Sequence, residues 1–206
     1  MVQAIKGNEV TLAQLEETFQ LERTDNRTFF PEWQEDLPEL TALEQQALDE
    51  VRQDYLHLSR RTLLEAVVKM VVLSPLLRRA GFYRDPFYLD AEEEVELVSQ
   101  DEETVVRGRI DILIYQPRFW VLAIEAKQKQ YSLDVGLAQV LFYMLAQPQP
   151  EKPAFGFLTN GGEFRFLKLS QNGIPRYGVS HLFSIDREGD LYTVVKVLKR
   201  LGQIIG

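Results

Sequence analysis

The stretch Thr104–Lys127, TVVRGRIDILIYQPRFWVLAIEAK, constrains the fold more than any other part of the chain. Two runs of branched and aromatic residues flank Gln-Pro-Arg at 116–118, the pattern of two β strands joined by a tight turn. A pair this apolar must be covered by helices or by a second sheet. Yet it carries charges where burial should exclude them. Asp111 interrupts an isoleucine-rich run, and the second strand ends in Glu125-Ala126-Lys127. Residues two apart in a strand share a face, so Glu125 and Lys127 project together and Ala126 projects oppositely.

The rest of the chain supplies the cover. Residues 1–40 read as an acidic, largely irregular N-terminal extension with one short helix near Thr11–Gln20 and an apolar plug, FFPEW, at 29–33. Residues 41–206 read as the main domain. Thr41-Ala-Leu-Glu44 fits a capping box opening a helix, and Thr62-Leu-Leu-Glu65 a second one that restarts it. The second helix, AVVKMVVLSPLL, is apolar almost all round and should end near Pro75 and Gly81. PFYLD (86–90) and EVELV (94–98) read as strands before the central pair. Ser132 can cap a helix over Leu133–Gln147, stopped by Pro148. AFGFLTNGGEFRFLKL (154–169) reads as a hairpin about Asn-Gly-Gly, and LYTVVKVLKRLGQII as a closing amphipathic helix. The short connections around 104–127 suggest an antiparallel meander, and the whole order implies an α/β or α+β fold with a mixed β-sheet flanked by helices, of which α/β is the expected class.

Composition removes some function classes. The 206 residues contain no cysteine, so disulfides and thiolate metal sites are excluded. No run approaches the roughly 18 apolar residues of a membrane span, no signal peptide is apparent, and a cytoplasmic location is expected. The net charge of −8 is uneven: residues 1–50 hold three bases against twelve acids, whereas the remaining 20 bases and 19 acids nearly cancel. A near-neutral body can still carry a local basic groove, so the overall acidity does not argue against a nucleic-acid partner.

The charged edge carries the chemistry. A hairpin loop centred on 117 places residue 111 across from about 123, which makes Glu125 a diagonal neighbour of Asp111. Two converging carboxylates repel, and one takes up a proton unless a cation lies between them. Hard oxygen ligands without sulfur or imidazole suit Mg²⁺, with Mn²⁺ as an alternative. Lys127 on the same face can act on a water or offset developing charge. The competing account is a structural ion pair at a wet strand end, which weakens as charges accumulate on one edge of a buried sheet.

An Asp in one strand, Glu-x-Lys ending the next, and a preceding helix bearing a Glu resemble the PD-(D/E)xK nuclease superfamily over about Glu65–Leu169. Gln139 and Tyr143 in the following helix resemble the Q-x-x-x-Y element of some members. FLTNGGEFRFLKL is similar to the hairpin of the N-terminal nuclease domain of type I restriction enzyme R subunits. The resemblance implies that Asp111, Glu125 and the Ala126 carbonyl hold Mg²⁺, and that Lys127 acts at the attacking water. It also implies roles for Glu65 as the first-helix Glu and for Gln139 and Tyr143 as the helix pair. Ile110 stands where the family's Pro would be, a position without a metal role. No G-x-x-x-x-G-K-[ST] phosphate loop occurs, so ATP-driven translocation is not encoded in this sequence.

Each flanking residue has an ordinary reading beside the functional one. Glu65 fits an N3 capping residue or a partner of Lys69. Arg107 and Arg109 flank Asp111 on its strand face and can bind phosphate or simply pair with nearby acids. Lys129 is a phosphate contact or an exposed lysine. His57 and His181 are isolated and read as structural. The expected activity is Mg²⁺-dependent endonuclease action on DNA, restriction- or repair-like, with a homodimer as one way to cut a duplex. The alternatives are a catalytically inactive nuclease-fold module that binds nucleic acid or protein, and a Mg²⁺-dependent hydrolase of a small phosphorylated substrate.

Overall fold

The computed structural model describes residues 3–99, 104–116, 119–127 and 132–205. In chain order come β1 (Gln3–Lys6), α1 (Leu12–Phe19), β2 (Glu22–Arg23), α2 (Ala42–Leu58), α3 (Glu65–Val68) and α4 (Ser74–Ala80). Then follow β3 (Tyr88–Val98), β4 (Thr104–Gln116), β5 (Phe119–Ala126), α5 (Asp134–Leu145), β6 (Ala154–Thr159), β7 (Glu163–Ser170), β8 (Arg176–Val179), β9 (Phe183–Ser184) and α6 (Asp190–Ile205). The protein is a mixed α/β fold in which the nine strands among the described residues form one mixed sheet flanked by helices.

The meander read from the sequence is present: β3, β4 and β5 pair antiparallel in succession. Helix α5 then carries the chain to β6, which pairs parallel with β5, and the Asn-Gly-Gly turn returns it antiparallel as β7. At that turn Asn160 Oδ1 accepts from the N–H groups of Gly162 and Glu163. Gly161 has φ 86°, a conformation that favours glycine.

Helices α2, α4 and α6 cover one face of the sheet over a core that includes Ile114, Leu122, Ile124, Phe157, Phe164 and Phe166. Helices α1 and α5 cover the other, over Val106, Ile110, Leu113, Ala123, Leu158 and Leu167. These memberships expose a break in alternation. Val106 and Ile110 face the second core, whereas Ile112 and Ile114 face the first. Side chains alternate with period two, so β4 must kink at Asp111. Strand β3 breaks at the same level: Leu89 packs on the first core but Val95 and Leu97 on the second, and Glu92 between them has φ 58°.

Several elements differ from expectation. PFYLD and EVELV are one strand, β3, because the kink at Glu92 bends it without ending its pairing. The Thr62 capping box does not form. Helix α3 starts at Glu65 with Leu64 in the cap position and no side-chain cap, so Glu65 is the first helical residue rather than the third. The helix then runs through Pro75 by way of a π turn at Lys69–Leu73, in which Ser74 N–H reaches the Lys69 carbonyl. That wider turn opens the ladder just ahead of the proline, whose ring lacks an N–H. Helix α5 is shorter than Leu133–Gln147, although the Ser132 hydroxyl does accept from Asp134 N–H.

The first 40 residues contribute two edge strands that sequence patterning did not reveal. β1 pairs parallel with Thr104–Arg107 of β4, and β2 pairs parallel with β8. FFPEW packs as a plug: Phe30 is buried in the first core, and Glu32 bonds Lys168 at 2.5 Å. Strands β1 and β5 both lie on the edge of β4 opposite β3, one along residues 104–107 and the other along 112–116. Residues 108–111 of that edge therefore have neither strand beside them. No helix among the described residues is long and apolar enough to cross a membrane.

Candidate active site

The gap in the β4 edge is where the charged residues gather. The β4–β5 ladder ends at the Ile112–Ile124 pair, and the next rung, where the strands part, brings Asp111 level with Glu125. This corrects the expected pairing of 111 with about 123. Gln116 pairs with Phe119, one residue away in register from what a loop centred on 117 gives. A bulge then shifts the β5 partner from Trp120, opposite Tyr115, to Leu122, opposite Ile114. Each change moves the register by one residue, so the two carboxylates are opposed rather than diagonal. Substrates of open α/β sheets bind beyond the carboxyl ends of strands, at points where neighbours diverge. Here the carboxyl ends are those of the parallel pair β5 and β6.

Two bonded groups line the cleft. The first is built on the kink. Asp111 Oδ2 accepts the Ala126 N–H at 2.8 Å, a donor freed where the strands separate. Its Oδ1 accepts from Lys69 Nζ at 2.8 Å, and the same ammonium reaches Glu65 Oε1 at 2.7 Å. Burial alone would lower the Lys69 pKa, but hydrogen bonds to Asp111 and Glu65 carry it above the usual lysine value. The second group runs toward α5. Lys127 Nζ donates to Glu125 Oε1 at 2.5 Å and to Gln139 Oε1 at 2.9 Å. Gln139 Nε2 donates to the Tyr143 hydroxyl at 2.6 Å, which in turn donates to the Arg109 carbonyl at 2.6 Å. That carbonyl lies on the strandless part of the β4 edge, so Tyr143 supplies the partner a neighbouring strand would have supplied.

Glu125 joins the two groups electrostatically. Only 3% of it is exposed, and its Oε2 is buried without a hydrogen-bond partner. Burial, followed by the charge of Asp111, pushes its pKa up to about 8 despite the Lys127 ammonium beside it. A smaller contribution in the same direction comes from Glu65. Glycine 136 lets α5 approach this closely: a Cβ there would lie 3.2 Å from Lys127 Cε and 3.6 Å from Glu125 Cγ.

The structure thus brings together Glu65, Asp111, Glu125, Ala126, Lys127, Gln139 and Tyr143. Arg107 and Arg109 stand apart from Asp111, because the kink interrupts the shared face. Arg107 pairs with Glu96 at 2.5 Å, and Arg109 with Glu94 at 2.9 Å and Glu92 at 3.3 Å. Both nonetheless line a groove of about 660 Å³ that also contains Gln139 and Tyr143 and opens beside the gap. Lys129 lies outside the described residues. Lys69 has a larger part than the sequence suggested: it is the one charge in AVVKMVVL, and its spacing from Glu65 reveals that pair but not the reach to Asp111.

Fold and cleft together define a mixed α/β protein with opposed carboxylates and a lysine at the divergence of two central strands. No protein-family model matches the chain, and no curated protein matches it. Among solved structures, a fragment assigned as the HsdR subunit of a type I restriction enzyme from Vibrio vulnificus is similar, with 23% identity and a TM-score of 0.40. The match covers 65% of this chain and 25% of that one, so this protein spans about a quarter of its length.

Proposed function

We propose that the chain is a Mg²⁺-dependent endodeoxyribonuclease of the PD-(D/E)xK type with a restriction- or repair-like role, and that Mn²⁺ can replace Mg²⁺. The reading rests chiefly on the buried, unpartnered Oε2 of Glu125 beside the Asp111 carboxylate. A buried carboxylate oxygen without a partner calls for a proton or a cation, and an all-oxygen set suits a hard divalent ion. Asp111, Glu125 and the Ala126 carbonyl would hold it. Among the described residues no three His, Cys, Asp or Glu side chains form a metal-holding group, so a backbone oxygen and waters belong to the set. When bound, the ion supplies charge to a phosphodiester and lowers the pKa of a water. The chain's own residues do the positioning. Lys127 presents its ammonium where Glu125 and Gln139 hold it, and Gln139 is fixed through Tyr143 to the β4 backbone. Arg107 and Arg109 would meet the DNA backbone at the groove beside the cleft, exchanging glutamate partners for phosphates. A homodimer would offer two such clefts to a duplex.

Incubation with supercoiled and single-stranded DNA in Mg²⁺ or Mn²⁺ tests this. Nicking that disappears in Lys127→Ala and Asp111→Ala is expected, whereas nicking that survives both refutes the site. A second reading, a nuclease-fold module that binds without cutting, is favoured by one observation: Asp111 is already engaged by Lys69 and the Ala126 N–H. Calorimetry without any Mn²⁺ heat would select that module over the nuclease.

A further inference from the structure

Lys69 points to a mode of control for the same cleft. Its ammonium sits between Glu65 and Asp111, 2.7 and 2.8 Å away. That is where a cation shared by the two carboxylates would be held. It comes from a helix that is otherwise apolar here, with Val68, Val72 and Leu73 fully buried beside it. The π turn that begins at Lys69 sets its position on the helix surface. The nearby Glu125 oxygen is left without a partner, so the cleft's cation demand is only partly met by the two lysines. A lysine ammonium is a compact charge on a four-carbon stem with many rotamers and can move away without refolding its helix.

We propose that Lys69 is a tethered counter-ion that holds the metal-free cleft together and competes with the divalent cation for Asp111. This rests on the metal-dependent reading above. The competition has a simple physical basis. An ion entering at Asp111 must displace the ammonium from Oδ1, and while both stay in the cleft they repel each other. Removing the ammonium removes both costs. Once displaced, Lys69 remains within a side chain's length of the cleft mouth, where it can meet a substrate phosphate.

The test is Mn²⁺ titration calorimetry on the full chain without DNA, comparing wild type with Lys69→Gln, Lys69→Arg and Asp111→Asn. Lys69→Gln should bind Mn²⁺ at least tenfold more tightly than wild type. Lys69→Arg, which keeps the charge, should stay within about threefold. Reductive methylation read by mass spectrometry gives an independent signal: Mn²⁺ should increase modification of Lys69 in wild type, and Asp111→Asn should increase it without metal. Wild-type binding with equal or weaker affinity in Lys69→Gln overturns the competition and leaves the nuclease reading standing. A wild type that binds no Mn²⁺ overturns both. Melting in chelator checks that each variant is folded, and if Lys69→Gln is not, methylation of the wild type decides alone.

Discussion

Replacing Tyr143 by Phe removes a single oxygen from the chain of bonds behind Lys127. The ring itself is fully buried, with its centroid 5.0 Å from that of Phe142, so its packing survives the change. Two partners lose their bond at once: the Arg109 carbonyl and Gln139 Nε2. A buried polar group left unsatisfied costs about 1–3 kcal/mol. The Arg109 carbonyl, on the part of the β4 edge flanked by neither β1 nor β5, bears most of that loss. Taking about 2 kcal/mol, and about 2–4 °C per kcal/mol for a chain of this size, melting in chelator should fall by roughly 4–8 °C. The functional effect follows from the same geometry. Gln139 is one of the two groups anchoring Lys127, and without Tyr143 its amide can turn away. Under the proposed nuclease function, in which Lys127 acts at the attacking water, misplacing such a group by about 1 Å costs on the order of 100-fold, so kcat for DNA cleavage should fall about 10- to 100-fold while KM changes little. Melting and steady-state cleavage in Mg²⁺ are the assays. An unchanged melting point with kcat within twofold would refute the positioning argument. A loss confined to KM would put Tyr143 at the substrate phosphate instead.

Three further outcomes are expected. In chelator, the protonated form of Glu125 favours the fold, because its folded pKa of about 8 lies above the ordinary 4.5. That contribution is whole below pH 4.5 and drains away as pH rises toward 8, at about 1.4 kcal/mol per pH unit, or about 3 kcal/mol by pH 7. Glu125→Gln escapes it, so its melting advantage over wild type should widen from pH 5 to 8, and a gap independent of pH would contradict a buried proton. Lys168→Met should cost about 3–5 kcal/mol in urea unfolding by stranding the Glu32 carboxylate, and adding Glu32→Gln should recover most of it; no recovery would mean that the loss is one of packing. Gly162→Ala should lose about 1–3 kcal/mol through overpacking, since its Cβ would lie 2.4 Å from the Tyr55 hydroxyl oxygen; an unchanged urea midpoint would show that α2 yields there without cost.

What could be read in advance was local, and what could not was a matter of register and of distant partners. The meander, the Asn-Gly-Gly hairpin, the Thr41 capping box and the closing helix each announce themselves within one contiguous stretch of sequence. Convergence of Asp111 with the Glu125 end was also legible, because both lie on adjacent strands joined by a short turn. Their opposition was not, since it depends on the pairing of Gln116 with Phe119 and on a bulge that alternation alone does not signal. The kink at Asp111 is hidden for a related reason. Ile110, Ile112 and Ile114 look like one face, yet the first packs on the opposite side of the sheet from the others. Strands β1 and β2 escaped because their pairing is parallel and remote, leaving no hairpin signal in their own sequence. Lys69 was visible as a partner of Glu65. Its bond to Asp111 spans 42 residues, which spacing on one helix cannot reveal.

The charges in the cleft explain why β4 carries a carboxylate at its kink and why β5 runs out through Glu125-Ala126 into Lys127. Glu65, Asp111 and Glu125 are met by two ammoniums, Lys69 and Lys127. With all three carboxylates ionised the group carries one excess negative charge in a partly buried setting. A proton on Glu125, which its raised pKa favours at neutral pH, makes the group neutral. A divalent cation in place of that proton, with the displaced Lys69 ammonium still at the cleft mouth, would leave one excess positive charge, the complement of a single phosphodiester. The same residues thus suit two states of the cleft, closed by a proton and a lysine or opened to a substrate by a metal. An ordinary structural ion pair would need neither the third carboxylate nor a second lysine from a separate helix. On this argument the wild-type protein should release about one proton per Mn²⁺ bound near pH 7, measurable from the buffer dependence of the binding heat. Binding without proton release would leave the charge on Glu125 unexplained and the account wrong.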